Sequence, residues 1–323
     1  MRLGKVRFES KYIAIQYFYE KKHWSIRWMC QQLDVTRAAY YKWLHREIPK
    51  AEQENILIAQ LIQEYDTRFN HILGYRRMTM YINRLNNKRY SKNRIHRVMK
   101  AINIHSVIRR KRKKYQASAP EVTAENILNR DFYAKAPNEK WATDVTEFKW
   151  YEGPVVHKLY LSAILDLYDL SPVAWVVSKH NDNKLVLDTF ALAIKNNPDA
   201  KPIFHSDRGF QYTSRVFQTK LQAQGMTQSM SRVGHCIDNG PTENFWSIVK
   251  SEMYYLDTFT DEDSLRTAIA DYMTFYCTER IQKRFNGKTP AEVRAEALVA
   301  DIPQQYPIPV NKRIQKYKAR YAA

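Results

Sequence analysis

The sequence predicts an α+β multidomain chain, in which two all-α helix-turn-helix modules precede an α/β domain built on a mixed five-stranded sheet. Three observations carry this. The net positive charge is confined to the first third of the chain. The hydrophobic period changes from helical to strand-like near residue 138. From there strands and helices alternate, as they do when helices pack on a sheet.

Charge comes first because it separates two kinds of work. The 323-residue chain carries a formal net charge of +19. Residues 1–120 hold 27 Lys+Arg against 8 Asp+Glu, and residues 121–323 hold equal numbers of each sign. A basic module joined to a neutral one points to a polyanion-binding part and a separate working part. The apolar fraction is 44%, ordinary for a globular protein. No apolar run approaches the length of about 18 residues that would mark a membrane span, and the N-terminus lacks a secretory signal. Cys30, Cys236 and Cys277 are widely spaced, which predicts free thiols in a reducing compartment and no zinc site. The expected location is cytoplasmic.

The first module is read from WSIRWMCQQLDVTRAAYYKWLHR. Ile26, Met29 and Leu33 mark one helix face, Thr36 caps a second helix after the Asp34-Val35-Thr36 turn, and the surface is basic and aromatic. Ile48-Pro49 ends the unit. In the second module AEQENILIAQLIQEYDTRF is a long amphipathic helix, and Gly74 turns the chain into YRRMTMYINRLN. Ser91 then caps a third helix with Ile95, Val98 and Met99 on its apolar side. Lys92, Arg94, Arg97 and Lys100 lie on or near its polar side, the pattern of a groove-reading helix. Arg76 and Arg77 on the preceding helix are further candidate DNA contacts. The run Arg109, Arg110, Lys111, Arg112, Lys113, Lys114 would track phosphates, and QASAPEVTAEN reads as linker.

In the α/β part, KWATDVTEFKWY, HKLYLSAILDLYD and PVAWVVSKH predict three strands, and NKLVLDTFALAIKN a helix. KPIFHSD is a fourth strand and SRVFQTKLQAQG a helix closed by Gly225. MTQSMS is a fifth strand, and PTENFWSIVKSEMYY a helix with Pro241 at its first position.

Three acids fall where this order can bring them together. Asp144 lies within the first strand, where aspartate is poorly suited. Asp207 ends the fourth strand, and Glu243 opens the helix after the fifth. If strands one and four are neighbours, their acids meet at one end of the sheet. At about 100° per residue, Phe245, Ile248, Val249 and Met253 form the buried side of the last helix, and Glu243, Ser247 and Lys250 share the opposite face. Lys250 could then hold a DNA phosphate. Three carboxylates without sulfur ligands suit a hard cation, Mg²⁺ or Mn²⁺. Two such ions about 4 Å apart can activate an attacking oxygen and stabilise a leaving one at phosphorus. Competing acids are Glu147, Asp166, Asp169, Asp238 and Glu252; Asp166 and Asp169 read as strand-end and turn residues. Gly287-Lys288-Thr289 lacks the first glycine of a phosphate-binding loop, with Gln282 in its place.

WATDVTEF, HSDRGFQY and MSRVGHCIDNGPTENFWSIVKSE resemble the three catalytic blocks of insertion-sequence transposases of the IS3 family, within the DDE group that includes retroviral integrases. The second and third acids are separated by 35 residues, 208–242, the spacing typical of that group, and Lys250 matches its characteristic basic residue. The resemblance runs from about residue 10 to 297. It implies an RNase H-like catalytic domain, two Mg²⁺ ions (Mn²⁺ substituting) on Asp144, Asp207 and Glu243, and cleavage followed by 3′-hydroxyl strand transfer. The implied partners are double-stranded DNA, both the terminal inverted repeats and the target, and further copies of the chain in a homodimer or higher synaptic oligomer. On this reading residues 1–50 and 51–108 are the two helix-turn-helix modules, 109–137 a basic linker, 138–300 the catalytic domain and 301–323 a basic tail. The alternative, a non-enzymatic DNA-binding regulator of the element, would use residues 1–114 and leave the three acids without a task.

Overall fold

A computed structural model describes residues 8–108, 127–128, 131–231 and 239–308. The chain divides into two compact units, residues 1–107 and 108–323.

The first unit is helical throughout. Helices α1 (Glu9–Lys22), α2 (Ile26–Gln32) and α3 (Arg37–Leu44) close on a small core of Tyr12, Ile15, Met29, Cys30 and Tyr40. Thr36 caps α3 as expected, its hydroxyl accepting from Ala39 N at 3.2 Å. Helices α4 (Lys50–Arg68), α5 (Tyr75–Leu85) and α6 (Lys92–Ala101) form the second set. Ser91 caps α6, and Ile95, Val98 and Met99 are buried. Arg94 is held within the unit. Its Nε donates to Asn55 Oδ1 at 3.0 Å, and its two terminal nitrogens reach Glu54 at 2.5 Å and Ala51 O at 3.1 Å. This guanidinium fastens α6 to α4.

The second unit carries a five-stranded sheet in the order β3-β2-β1-β4-β5, with β1 Lys140–Glu152, β2 Val155–Asp166, β3 Pro172–Ser178, β4 Ile203–Ser206 and β5 Thr227–Met230. The first three strands are antiparallel neighbours, and β4 and β5 run parallel to β1. Alternation of side chains sorts the core into layers. Trp141, Ile164 and Phe204 pack on one face beneath α7 (Asn183–Asn196), the short α8 (Phe210–Thr213) and α9 (Arg215–Ala223). Phe148, Leu159, Leu161, Ala163 and Leu165 pack on the other, beneath α10 (Gly240–Glu252) and α11 (Glu262–Thr278). A third cluster joins Ala142 and Tyr168 to α12 (Pro290–Val299), and Leu128, Ala134 and Tyr306 are buried in it.

Several competing acids have structural partners. Asp166 and Asp169, both wholly buried, share the Arg294 guanidinium at 3.0 and 2.9 Å. Glu147 pairs with Lys158 at 3.0 Å. Glu252, at the end of α10, receives Arg280 through two bonds of 2.8 Å and the Tyr272 hydroxyl at 2.9 Å. Thr289 belongs to a capping box with Glu292 at the start of α12, in keeping with rejection of a phosphate loop there. Asp238 lies outside the described residues. Among those described, no helix is long and apolar enough to cross a membrane.

The Arg280–Glu252 pair clamps α10 to the chain after α11 with almost no water around it. Arg280→Met takes the guanidinium away from a buried carboxylate, a loss expected to cost about 3–5 kcal/mol. Denaturant unfolding should show that loss, and adding Glu252→Gln should restore most of it.

Candidate active site

Strand pairing builds the site. The parallel register matches Trp141 to Phe204 and Ala142 to His205. Carried two residues further, it sets Asp144 level with Asp207, both on the α10 face of the sheet. Pairing stops there because β4 ends at Ser206, whereas β1 continues to Glu152. The two carboxylates thus stand side by side where the sheet opens. His205, fully buried, holds the ends of β4 and β5 together through Ser229 Oγ at 2.9 Å and Ser231 Oγ at 3.2 Å.

Each carboxylate is oriented by neutral donors. Asp144 Oδ1 accepts Val145 N at 2.8 Å, and Oδ2 accepts the Trp246 indole N–H at 3.1 Å. Asp207 Oδ1 accepts Gly209 N at 2.9 Å. Position 209 must stay small, since a Cβ there would stand 3.0 Å from Asp207 Oδ1 and 2.9 Å from Gln211 Oε1. Burial, and next the charge of Asp207, push the Asp144 carboxyl up to about 7. The two hydrogen bonds oppose that shift, and Glu243 adds the smallest upward push. Burial likewise raises Asp207, against the pull of the Gly209 N–H.

Glu243 lies in the first turn of α10 with its side chain exposed, and crowding by neighbouring atoms raises its carboxyl. The fold therefore brings Asp144 and Asp207 together and sets Glu243 at the rim. Among the described residues, no group of three or more His, Cys, Asp or Glu is close enough to hold a metal ion. Lys250, on the same helix, is half-buried with its ammonium 5.4 Å from the Phe148 ring centroid. The buried side of α10 differs from the expected one: Thr242, Phe245, Trp246, Val249 and Glu252 are buried, while Ile248 and Met253 are only half so. Sequence reasoning missed Trp246, whose place one turn after Glu243 was the available signal. Asn239 is a second residue that sequence reasoning did not single out: its Nδ2 donates to Thr143 O at 3.1 Å and ties the start of α10 to β1.

Of the candidate DNA contacts, Arg76, Lys92 and Arg97 are exposed, and Arg77 is half-buried. Arg76 donates to the Tyr75 hydroxyl at 3.1 Å, and Arg97 to Asn93 O at 3.3 Å in its own helix. Arg109, Arg110, Lys111, Arg112, Lys113 and Lys114 lie outside the described residues, as does Cys236. Cys30 and Cys277 are free thiols.

Comparison with known proteins finds the integrase core domain family at residues 134–236 and again at 243–298, and an HTH-like domain at 52–112. InsK of Escherichia coli (strain K12), described as a transposase for insertion sequence element IS150, is 38% identical over 232 residues, 71% of this chain and 80% of that protein. The chain belongs to the IS3 family of insertion-sequence transposases. The transposase InsF for insertion sequence IS3A, from the same strain, is 28% identical over 267 residues, covering 80% of this transposase and 91% of InsF. Among solved structures, the HTLV-2 integrase catalytic core domain in complex with magnesium is 21% identical with a TM-score of 0.39, covering 49% of this chain and 97% of that one. The mixed five-stranded sheet with helices on both faces falls within the residues that match the integrase core domain family.

A carboxyl raised from the ordinary aspartate value of 3.8 to about 7 binds its proton more tightly in the folded chain than in the unfolded one. The stability it contributes in the ion-free transposase is present below about pH 4 and is lost as pH rises through about 7. Asp144→Asn should remove that part of the pH dependence and raise the unfolding midpoint at pH 8. Each tenfold change in proton affinity is worth about 1.4 kcal/mol, which caps the gain at about 4 kcal/mol. Denaturation curves in chelator at pH 4 and pH 8 measure it.

Proposed function

We propose that Asp144, Asp207 and Glu243 are the catalytic carboxylates of this transposase and that they hold two Mg²⁺ ions, with Mn²⁺ able to substitute. The reaction proposed is cleavage of one DNA strand at the ends of the insertion sequence, followed by attack of the freed 3′-hydroxyl on another DNA strand. One observation carries the reading. Two half-buried carboxylates stand side by side at the end of β4, and every hydrogen bond they accept from described residues comes from a neutral donor. Burying two like charges without a cation is costly. The cost appears as the raised carboxyl of Asp144. An all-oxygen donor set with uncompensated negative charge fits a hard divalent cation.

Bound there, two such ions supply Lewis-acid activation of the attacking oxygen and charge stabilisation of the leaving one. The chain's own residues supply the rest. Asp144 and Asp207 present oxygens whose direction is fixed by Val145, Trp246 and Gly209. Glu243 brings the third carboxylate from α10, and Lys250 further along that helix meets a DNA phosphate. In the helical unit, Arg76, Arg77, Lys92 and Arg97 contact DNA at the terminal inverted repeats, and the basic run 109–114 follows the phosphate backbone. Residues 1–50 and 51–108 act as the two DNA-binding modules, 109–137 as the basic linker, 138–300 as the catalytic domain and 301–323 as the basic tail. Joining two ends to a target requires at least two protomers, and the assembly works in the bacterial cytoplasm on nucleoid DNA.

The test is strand transfer of end-containing DNA in Mg²⁺ or Mn²⁺. Asp144→Asn, Asp207→Asn and Glu243→Gln should each remove several kcal/mol of transition-state stabilisation, a loss of at least about 100-fold, with DNA binding retained. Activity surviving all three changes sinks the assignment, and DNA binding without any metal-dependent cleavage by the unaltered protein favours a regulator. In a separate measurement, a fragment of residues 1–114 should bind DNA with affinity falling steeply with salt, by about 10³-fold or more between 50 and 200 mM if six or more phosphates are met. A fragment of residues 121–323 should bind weakly; equal affinities would count against the modular arrangement.

A further inference from the structure

Helix α10 is pinned to β1 at two points that bracket Glu243. Asn239, four residues before it, donates to the backbone oxygen of Thr143. Trp246, three residues after it, donates its indole N–H to Oδ2 of Asp144. The two acceptors are consecutive residues of β1, and the second is itself a proposed metal ligand. Trp246 is only 6% exposed, so water has little access to this bond. The indole is a donor with no acceptor function; it can hold a carboxylate but cannot replace one as a ligand. Each carboxylate oxygen has two lone-pair directions. With Val145 N–H on Oδ1 and the indole on Oδ2, each oxygen keeps one direction open.

We propose that Trp246 is a positioning residue of the active site, its indole N–H holding the Asp144 carboxylate in the orientation that accepts a divalent cation and fixing α10, with Glu243 on it, against β1. The apolar contacts of α10 do not supply this. Phe245 and Val249 bury the helix against Phe148, Leu161 and neighbouring side chains, and such contacts are non-directional. They hold the helix close without fixing the rotation of a carboxylate. A hydrogen bond requires near-linear alignment and ties the direction of one acid to the seating of the helix that bears another. Partners that orient metal-binding carboxylates in this way typically change metal affinity or activity by about 10–100-fold when removed.

The inference rests on the metal reading above, and the test separates the two. Mn²⁺ binding to the full chain, without DNA, is measured by calorimetry and electron paramagnetic resonance for the unaltered protein, Trp246→Phe and Phe245→Leu. Trp246→Phe keeps an aromatic ring and loses the donor. It should weaken Mn²⁺ binding about 10-fold or more while leaving the thermal midpoint within a few degrees. Phe245→Leu should do the opposite, lowering the midpoint and leaving Mn²⁺ affinity unchanged. No Mn²⁺ binding by the unaltered chain overturns the metal reading itself. Binding by the unaltered chain with equal affinity in a folded Trp246→Phe overturns the positioning role and leaves the metal reading standing. A second measurement does not depend on the variant folding. With all seven tryptophans labelled with ¹⁵N, Mg²⁺ should move one buried, solvent-protected indole N–H resonance ahead of the rest. If no indole resonance responds although Mg²⁺ binds, the proposal fails.

Discussion

The site depends on one strand pairing and on where it stops. β4 lies beside β1 in parallel for only a few residues, ending one residue before Asp207. Parallel register makes the strand-borne acids neighbours, and the early end of β4 leaves them at an opening that α10 borders. Had β4 run on, the space beside Asp144 would have been filled by strand. Had it been antiparallel, Asp207 would have left the sheet at the opposite end. The long β1–β2 ribbon gives this arrangement its base, with Asp144 paired to Ala163.

That arrangement creates an electrostatic debt which the fold leaves open. Elsewhere in the same unit buried acids are compensated: Arg294 serves Asp166 and Asp169, and Arg280 serves Glu252. Among the described residues, the donors at Asp144 and Asp207 are a backbone N–H each and one indole. The contrast between the arginine-paired acids of this unit and two acids that accept only neutral donors from described residues is what the proposed cation site rests on. The charge is divided in the same way along the sequence: the net basic surplus falls in residues 1–120, and residues 121–323, which hold the three acids, sum to zero.

How far the sequence foretold this depends on the range of the interactions involved. Asp144 was legible because an aspartate inside a β-branched, aromatic run violates strand preference. Caps such as Thr36 and Ser91 were legible because they act within three residues. Glu243 was ambiguous by local chemistry, since glutamate at a helix start has an ordinary stabilising role; spacing and flanking blocks singled it out. The tie of Arg94 to α4 was not legible because its partner Glu54 lies 40 residues away on another helix, and a basic residue on a polar helix face looks the same whether it meets DNA or a carboxylate. Trp246 was passed over because the helical stripe was drawn through Phe245, Ile248, Val249 and Met253, and period alone does not show that the docking face includes a polar contact to β1. Asp166, Asp169 and Glu252 had recognisable positions in strand and helix, but their arginine partners depend on tertiary packing.

The central claim is that the Asp144–Asp207 pair, joined by Glu243, is a divalent-cation site. A crystal of the full chain soaked in Mn²⁺ and measured at the manganese absorption edge tests it most directly. The account expects anomalous density between the Asp144 and Asp207 carboxylates, with the Glu243 carboxylate drawn from the rim toward it. Anomalous density elsewhere in the chain, with none between these two acids at saturating Mn²⁺, would contradict it.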